Sequence, residues 1–162
     1  MRRRRRVAPL LRAAYRVAWW GITAWSLVAS PRLRGVKCVL RDRDGRVLFV
    51  RHTYGDRDAW ELPGGGARRH EDAASAARRE AREELGVDVE PWRELGTVET
   101  GRARARLTLT ALGAAWPEGS ELDLDPVEIA AASWFDPAEP PRPLGRITGA
   151  VIGLVTAAGS SP

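Results

Sequence analysis

The sequence predicts a mixed α/β sandwich, a sheet whose strands run in both directions with helices packed on it. Three observations carry that prediction. Alternating apolar and polar runs on either side of Asp44-Gly45 read as two antiparallel strands joined by a hairpin. Residues 71–85 contain no proline, are rich in alanine, and are followed directly by Gly86, which makes a helix with its C-terminal cap. The order strands, helix, strands, helix departs from the regular alternation that builds a doubly wound parallel sheet.

Taken in order, residues 1–34 stand apart. Arg2 to Arg6 precede a stretch in which Leu10, Ala14, Val17, Gly21, Trp25 and Val28 share one helical side, with Arg12, Arg16, Thr23 and Ser26 opposite. This is an amphipathic helix, and its apolar run from Val17 is well short of the roughly 20 residues that span a bilayer. Basic residues with tryptophans suit a helix lying on an anionic membrane surface. Packing on its own domain or a second subunit, as in a homodimer, is the rival reading. A secretory signal ending at Val28-Ala29-Ser30 is a third, against which Arg12 and Arg16 weigh.

The globular domain is expected over residues 35–162. Residues 35–40 and 46–52 are its first strands, and 60–62 a short strand running into the loop Gly64-Gly65-Gly66. After the helix of 71–85, further strands fall at 94–100 and at 104–115, where Arg104, Arg106, Thr108 and Thr110 alternate with Ala105, Leu107, Leu109 and Ala111. The acid- and turn-rich stretch 116–126 leads to a strand at 127–135. A helix at 142–158 closes the domain, with Ile147, Val151, Leu154 and Val155 inward and Gly149 and Gly153 allowing close packing on the sheet. Trp60, Trp92, Trp116 and Trp134 are expected in or against the core.

Composition bounds the function. The single Cys38 excludes an internal disulfide, and no Cys/His spacing indicates zinc. His52 and His70 fall in expected loops as surface residues. The net charge of +5 hides an asymmetry: residues 1–37 hold ten basic residues and no acid, leaving −5 on the remainder. The high pI therefore belongs to the arm, and no nucleic-acid binding by the domain follows from it.

The chemistry lies in residues 65–87. On a helix, positions three and four apart share a face, so Glu80, Glu83 and Glu84 crowd together. The plain reading of such a face is a solvated one. A divalent cation is the alternative, because Mg²⁺ takes carboxylate oxygens, water and phosphates as ligands. What favours the cation is the full pattern: Gly65, Glu71, Arg79, Glu80, Glu83, Glu84 and Gly86 fall at the spacing G-x5-E-x7-R-E-U-x-E-E-x-G-U, where U is bulky and aliphatic. Val87 conforms at the last U position, and Ala81 is smaller than the pattern prefers.

That spacing resembles the Nudix box, the motif of hydrolases that cut nucleoside diphosphates linked to another group. The resemblance covers about residues 35–158 and implies an α/β/α sandwich with a mixed sheet and a small-molecule nucleotide substrate. It further implies water attack on a diphosphate phosphorus with Mg²⁺, or Mn²⁺ in its place. The metal ligands it implies are the Gly64 carbonyl, Glu80 and Glu84, with Glu83 a ligand or the base that activates water. Glu71 supports the cluster, and Arg79 orients the acids. Glu128, Glu99 and the acids of 118–125 are candidates for a further ligand or base. Arg51, Arg57 and Arg102 are candidates for binding substrate phosphate. Arg102 stands where some relatives carry a substrate-sorting proline or tyrosine, so neither of those subgroups is supported. The other class of function is a catalytically silent Nudix-fold module that senses a nucleotide without cutting it, or a membrane-associated module in which the basic arm is the main element and the domain its passenger. The expected location is the cytoplasm, at the inner face of the membrane.

Overall fold

The computed structural model of the chain describes residues 32–102 and 105–158, with the backbone alone described at residues 32, 102, 105, 157 and 158. The expected amphipathic segment up to residue 31, and Arg104, lie outside the described residues. Five strands form one sheet: β1 (Arg32–Arg41), β2 (Val47–His52), β3 (Arg93–Arg102), β4 (Ala105–Ala115) and β5 (Ile129–Phe135), in the spatial order β3-β4-β1-β2-β5. β1 and β4 are parallel, and the other neighbouring pairs are antiparallel. The mixed sheet is the one expected. Parallel neighbours need a crossover, and the chain between β1 and β4 carries helix α1 (Ala73–Leu85) over one face.

A period of two sorts the central strands between two cores. Val36, Cys38 and Leu40 of β1 and Leu48 and Val50 of β2 pack against Ala76, Ala77, Ala81 and Leu85 of α1. The intervening Val39, Val47 and Phe49 pack against Val151, Ile152 and Val155 of α2 (Arg146–Ala158) on the other face. The sheet is thereby covered on both sides, an α/β/α sandwich. The smaller Ala81 is fully buried against the sheet. Trp116 and Trp134 meet edge to face with ring centroids 5.5 Å apart beside the first core, while Trp60 packs beside the second.

Several boundaries move, each for a physical reason. β1 begins at Arg32 rather than residue 35, because Arg32, Leu33 and Arg34 pair with Arg106, Leu107 and Thr108. α1 begins at Ala73 because Asp72 caps it, its carboxylate accepting from the Ser75 amide at 2.8 Å. Gly86 ends it in the left-handed conformation at φ 70°. Residues 60 and 61 make only isolated bridges, to Leu144 and Val50. Since Leu144 is held there, α2 starts at Arg146 and not at 142. β5 starts at Ile129, after a turn in which its amide donates to the Asp125 carbonyl at 2.8 Å.

Two residue expectations are corrected. His52 is buried: it is the last residue of β2, two positions on from the buried Val50, and strand alternation carries it to the same side. Gly149 and Gly153 are exposed, and a Cβ at either would meet nothing within 4 Å, so neither serves close packing on the sheet.

Candidate active site

The glycine loop hangs on β1. The Val36 amide donates to the Gly65 carbonyl at 2.9 Å and the Cys38 amide to the Pro63 carbonyl at 2.8 Å. The Gly64 carbonyl, between those two, accepts no hydrogen bond among the described residues. Gly64 sits at φ 128°, and a Cβ there would lie 2.3 Å from the Val36 carbonyl oxygen. Only glycine permits both that backbone angle and that approach. The Gly64 amide points at α1 and donates to Glu84 Oε2 at 2.9 Å.

On α1, Glu80 and Glu84 are one turn apart and both buried, with Glu84 only 1% exposed. Burial pushes the Glu84 carboxyl up to about 8, opposed by the Gly64 amide and the Lys37 ammonium and reinforced by the charges of Glu80 and Glu128. Burial likewise raises Glu80, against the pull of Arg79. Glu80 also lies where a side chain on Gly65 would have to go, its oxygens within 2.9 Å of an ideal Cβ.

Arg79 ties the acids together. Its guanidinium donates to Glu71 at 2.9 and 3.0 Å, to Glu80 at 2.7 Å, to Glu83 at 3.0 Å and to the Gly66 carbonyl at 2.9 Å. Five donors in a rigid fork make this possible for arginine and not for lysine. Those bonds, with the Arg68 amide, hold the Glu71 carboxyl down to about 2. With Arg79 among them, no three acidic, histidine or cysteine side chains gather in a metal-holding group among the described residues. The exposed Glu83 also meets Arg68 at 3.3 Å.

The described geometry is a glycine loop laid against a helix whose acids are partly buried and held by one arginine. A sequence model of the NUDIX domain matches residues 31–152. The chain belongs to the Nudix family. Among its Nudix relatives, the RNA pyrophosphohydrolase of Teredinibacter turnerae is 42% identical over 72 residues, 44% of this chain and 41% of the relative. The match spans less than half the length of each of the curated relatives. Among solved structures, a MutT NUDIX hydrolase from Burkholderia pseudomallei has a TM-score of 0.70 at 27% identity, covering 77% of this chain and 98% of that one. The NUDIX domain of Shewanella oneidensis NrtR, complexed with ADP ribose, has a TM-score of 0.66 at 20% identity over 80% of this chain and 90% of that one, a likeness of fold.

Not every residue singled out in the Nudix sequence meets the box. Arg51 packs 5.6 Å over the Trp60 ring and pairs with Asp58 at 3.3 Å, and its Nε donates to the Arg57 carbonyl at 3.2 Å. Its partners are therefore the loop, not the acids of α1. Arg57 is exposed in that loop. Arg102 ends β3, and its side chain is outside the description. Glu99 lines an open groove with Arg34, Thr100, Arg106 and Thr108, and Glu118 pairs with Arg43. Of the acids outside the box, Glu128 is the one whose charge reaches both Glu80 and Glu84. Lys37, Glu61 and Thr148 adjoin the start of the glycine loop and carry no motif of their own in the sequence.

Proposed function

We propose that the chain is a Mg²⁺-dependent pyrophosphohydrolase acting on a nucleoside diphosphate derivative or a nucleoside triphosphate. The observation that carries this reading is the pair of buried carboxylates, Glu80 and Glu84, facing the Gly64-Gly65 backbone. Two carboxylates buried close together are costly unless a cation compensates them. The donor set, carboxylates with an unclaimed Gly64 carbonyl, is all oxygen and suits Mg²⁺ or Mn²⁺. When bound, the metal neutralises the diphosphate and lowers the pKa of water.

Around it, Glu80, Glu84 and the Gly64 carbonyl hold the ion, while Arg79, anchored by Glu71, fixes Glu80 and the Gly64 amide fixes Glu84. Glu83, the most exposed acid of the box, is a ligand or takes the proton from the attacking water, with Glu128 the alternative base. Arg51 and Arg57 bind substrate phosphate by leaving Asp58 and solvent, with Arg102 a further candidate for that role.

The test is phosphate and pyrophosphate release from a panel with Mg²⁺, wild type against Glu84→Gln. Nucleoside triphosphates, ADP-ribose, sugar nucleotides and diadenosine polyphosphates belong in it, and the named activity of the relatives adds a 5′-triphosphorylated RNA. Metal-dependent turnover that disappears in the variant supports the enzyme. Nucleotide binding without turnover of any compound supports the silent binding module. Residues 1–31 serve as a peripheral contact with an anionic membrane surface in this reading. Since β1 begins at Arg32, the truncation that tests it removes residues 1–31: activity is retained and binding to anionic vesicles is lost.

A further inference from the structure

Residue 62 is held from both sides. Its carbonyl accepts from Lys37 Nζ at 2.9 Å and its amide donates to Thr148 Oγ1 at 3.1 Å. The Thr148 hydroxyl donates in turn to Glu61 Oε2 at 2.5 Å, and Lys37 Nζ lies 3.4 Å from the same oxygen. Lys37, Leu62, Thr148 and Glu61 thus close a ring that joins β1, the glycine loop and α2. Lys37 is 9% exposed and Thr148 is fully buried. An ammonium kept out of water is expensive unless it is paired. Here it is paired with the Glu61 carboxylate and donates to the loop backbone. Gly145, just before α2, has no side chain, and the Glu61 carboxylate occupies the space that one would take, its Oε1 1.8 Å from an ideal Cβ.

The ring lies immediately before the part of the loop that meets the box. Leu62 is followed by Pro63, whose carbonyl accepts from Cys38, and by Gly64, whose amide reaches Glu84. A Cβ on Gly64 would lie 2.3 Å from the Val36 carbonyl oxygen and 3.2 Å from the Lys37 Cα, so the loop has no room for a side chain there. Any slip at Leu62 moves Gly64 relative to Glu84, because little besides a proline separates them.

We propose that Lys37 and Thr148 are positioning residues, which through Leu62 and Glu61 set the Gly64 backbone against Glu84 and make α2 part of the support of the metal loop. The proposal rests on the reading of Gly64, Glu80 and Glu84 as a metal site. Neither residue touches substrate. Each acts through the peptide groups of the loop.

The experiment uses the full chain with Lys37→Met and Thr148→Val, and Lys37→Arg and Thr148→Ser as conservative counterparts. Amide hydrogen exchange is measured without metal, Mn²⁺ affinity by calorimetry, and kcat and KM on the substrate the panel identifies. The expected result is faster exchange at Gly64 and Gly65 with the α1 amides unchanged. Mn²⁺ affinity and kcat fall about tenfold or more while KM stays within about twofold, as for other outer partners of metal ligands. Thr148→Ser, which keeps the hydroxyl, restores all three.

Unchanged exchange at Gly64 and unchanged Mn²⁺ affinity in a folded variant overturn the proposal. So does faster exchange spread evenly through α1, which is the mark of general loosening. If Lys37→Met does not fold, Thr148→Val with its serine counterpart decides. A wild type that neither turns over any substrate nor binds Mn²⁺ sinks the metal reading, and the exchange data then still judge the ring separately.

Discussion

Replacing Glu84 by glutamine should stabilise the metal-free protein at high pH while removing its activity. Glu84 is 1% exposed, and burial takes its carboxyl from 4.5 up to about 8. A carboxyl with a raised folded pKa binds its proton more tightly in the folded chain. Its contribution to stability is therefore complete below 4.5 and is lost as pH rises through about 8. At about 1.36 kcal/mol per pH unit, that interval is worth up to about 5 kcal/mol. Glutamine keeps an oxygen to accept from the Gly64 amide and cannot ionise. Urea denaturation in EDTA, followed by tryptophan fluorescence, measures the difference between the two proteins. It should be small near pH ~4.5 and reach several kcal/mol in favour of the variant near pH ~9, other titrating groups cancelling in the comparison. Saturating Mg²⁺ should close the gap, since a ligand at about a hundred times its Kd adds about 2.7 kcal/mol to the protein that binds it. A difference that stays constant across pH would refute the reasoning.

Gly64→Ala should unfold or strongly destabilise the protein, by at least about 1–3 kcal/mol for the backbone angle alone. The Cβ 2.3 Å from the Val36 carbonyl adds to that, and a urea midpoint equal to wild type would contradict it. His52 carries the acid side of the stability curve: burial lowers its ring from 6.5 to about 4, and its Nδ1 is buried without a partner among the described residues. The unfolded chain binds that proton first, so stability falls as pH drops from 6.5 to about 4, by about 3 kcal/mol at the bottom. In His52→Leu that limb should flatten, and an unchanged acid midpoint would exclude the ring as its source.

Residues 65–87 were readable because the pattern lies within one local element. Helical spacing alone brings Glu80, Glu83 and Glu84 to one side, and Gly86 caps the helix end whatever surrounds it. The same holds for the strand alternation that separated the two cores and for the hairpin at Asp44-Gly45. These features follow from covalent geometry and period, which a sequence carries directly.

The tertiary structure decided what depends on register. Period two could not show that Lys37 donates to the Leu62 carbonyl, 25 positions away, or that Thr148 completes the ring from α2, 86 positions from Leu62. His52 read as a loop residue, whereas it ends β2 and is buried where that strand meets β5. Burial separated Glu84 from Glu83, adjacent in sequence and equal in charge: one lies under the glycine loop, the other at the surface. A carboxylate's chemistry is set by its dielectric surroundings and its partners. Both are fixed only when β1, the loop and the helices come together.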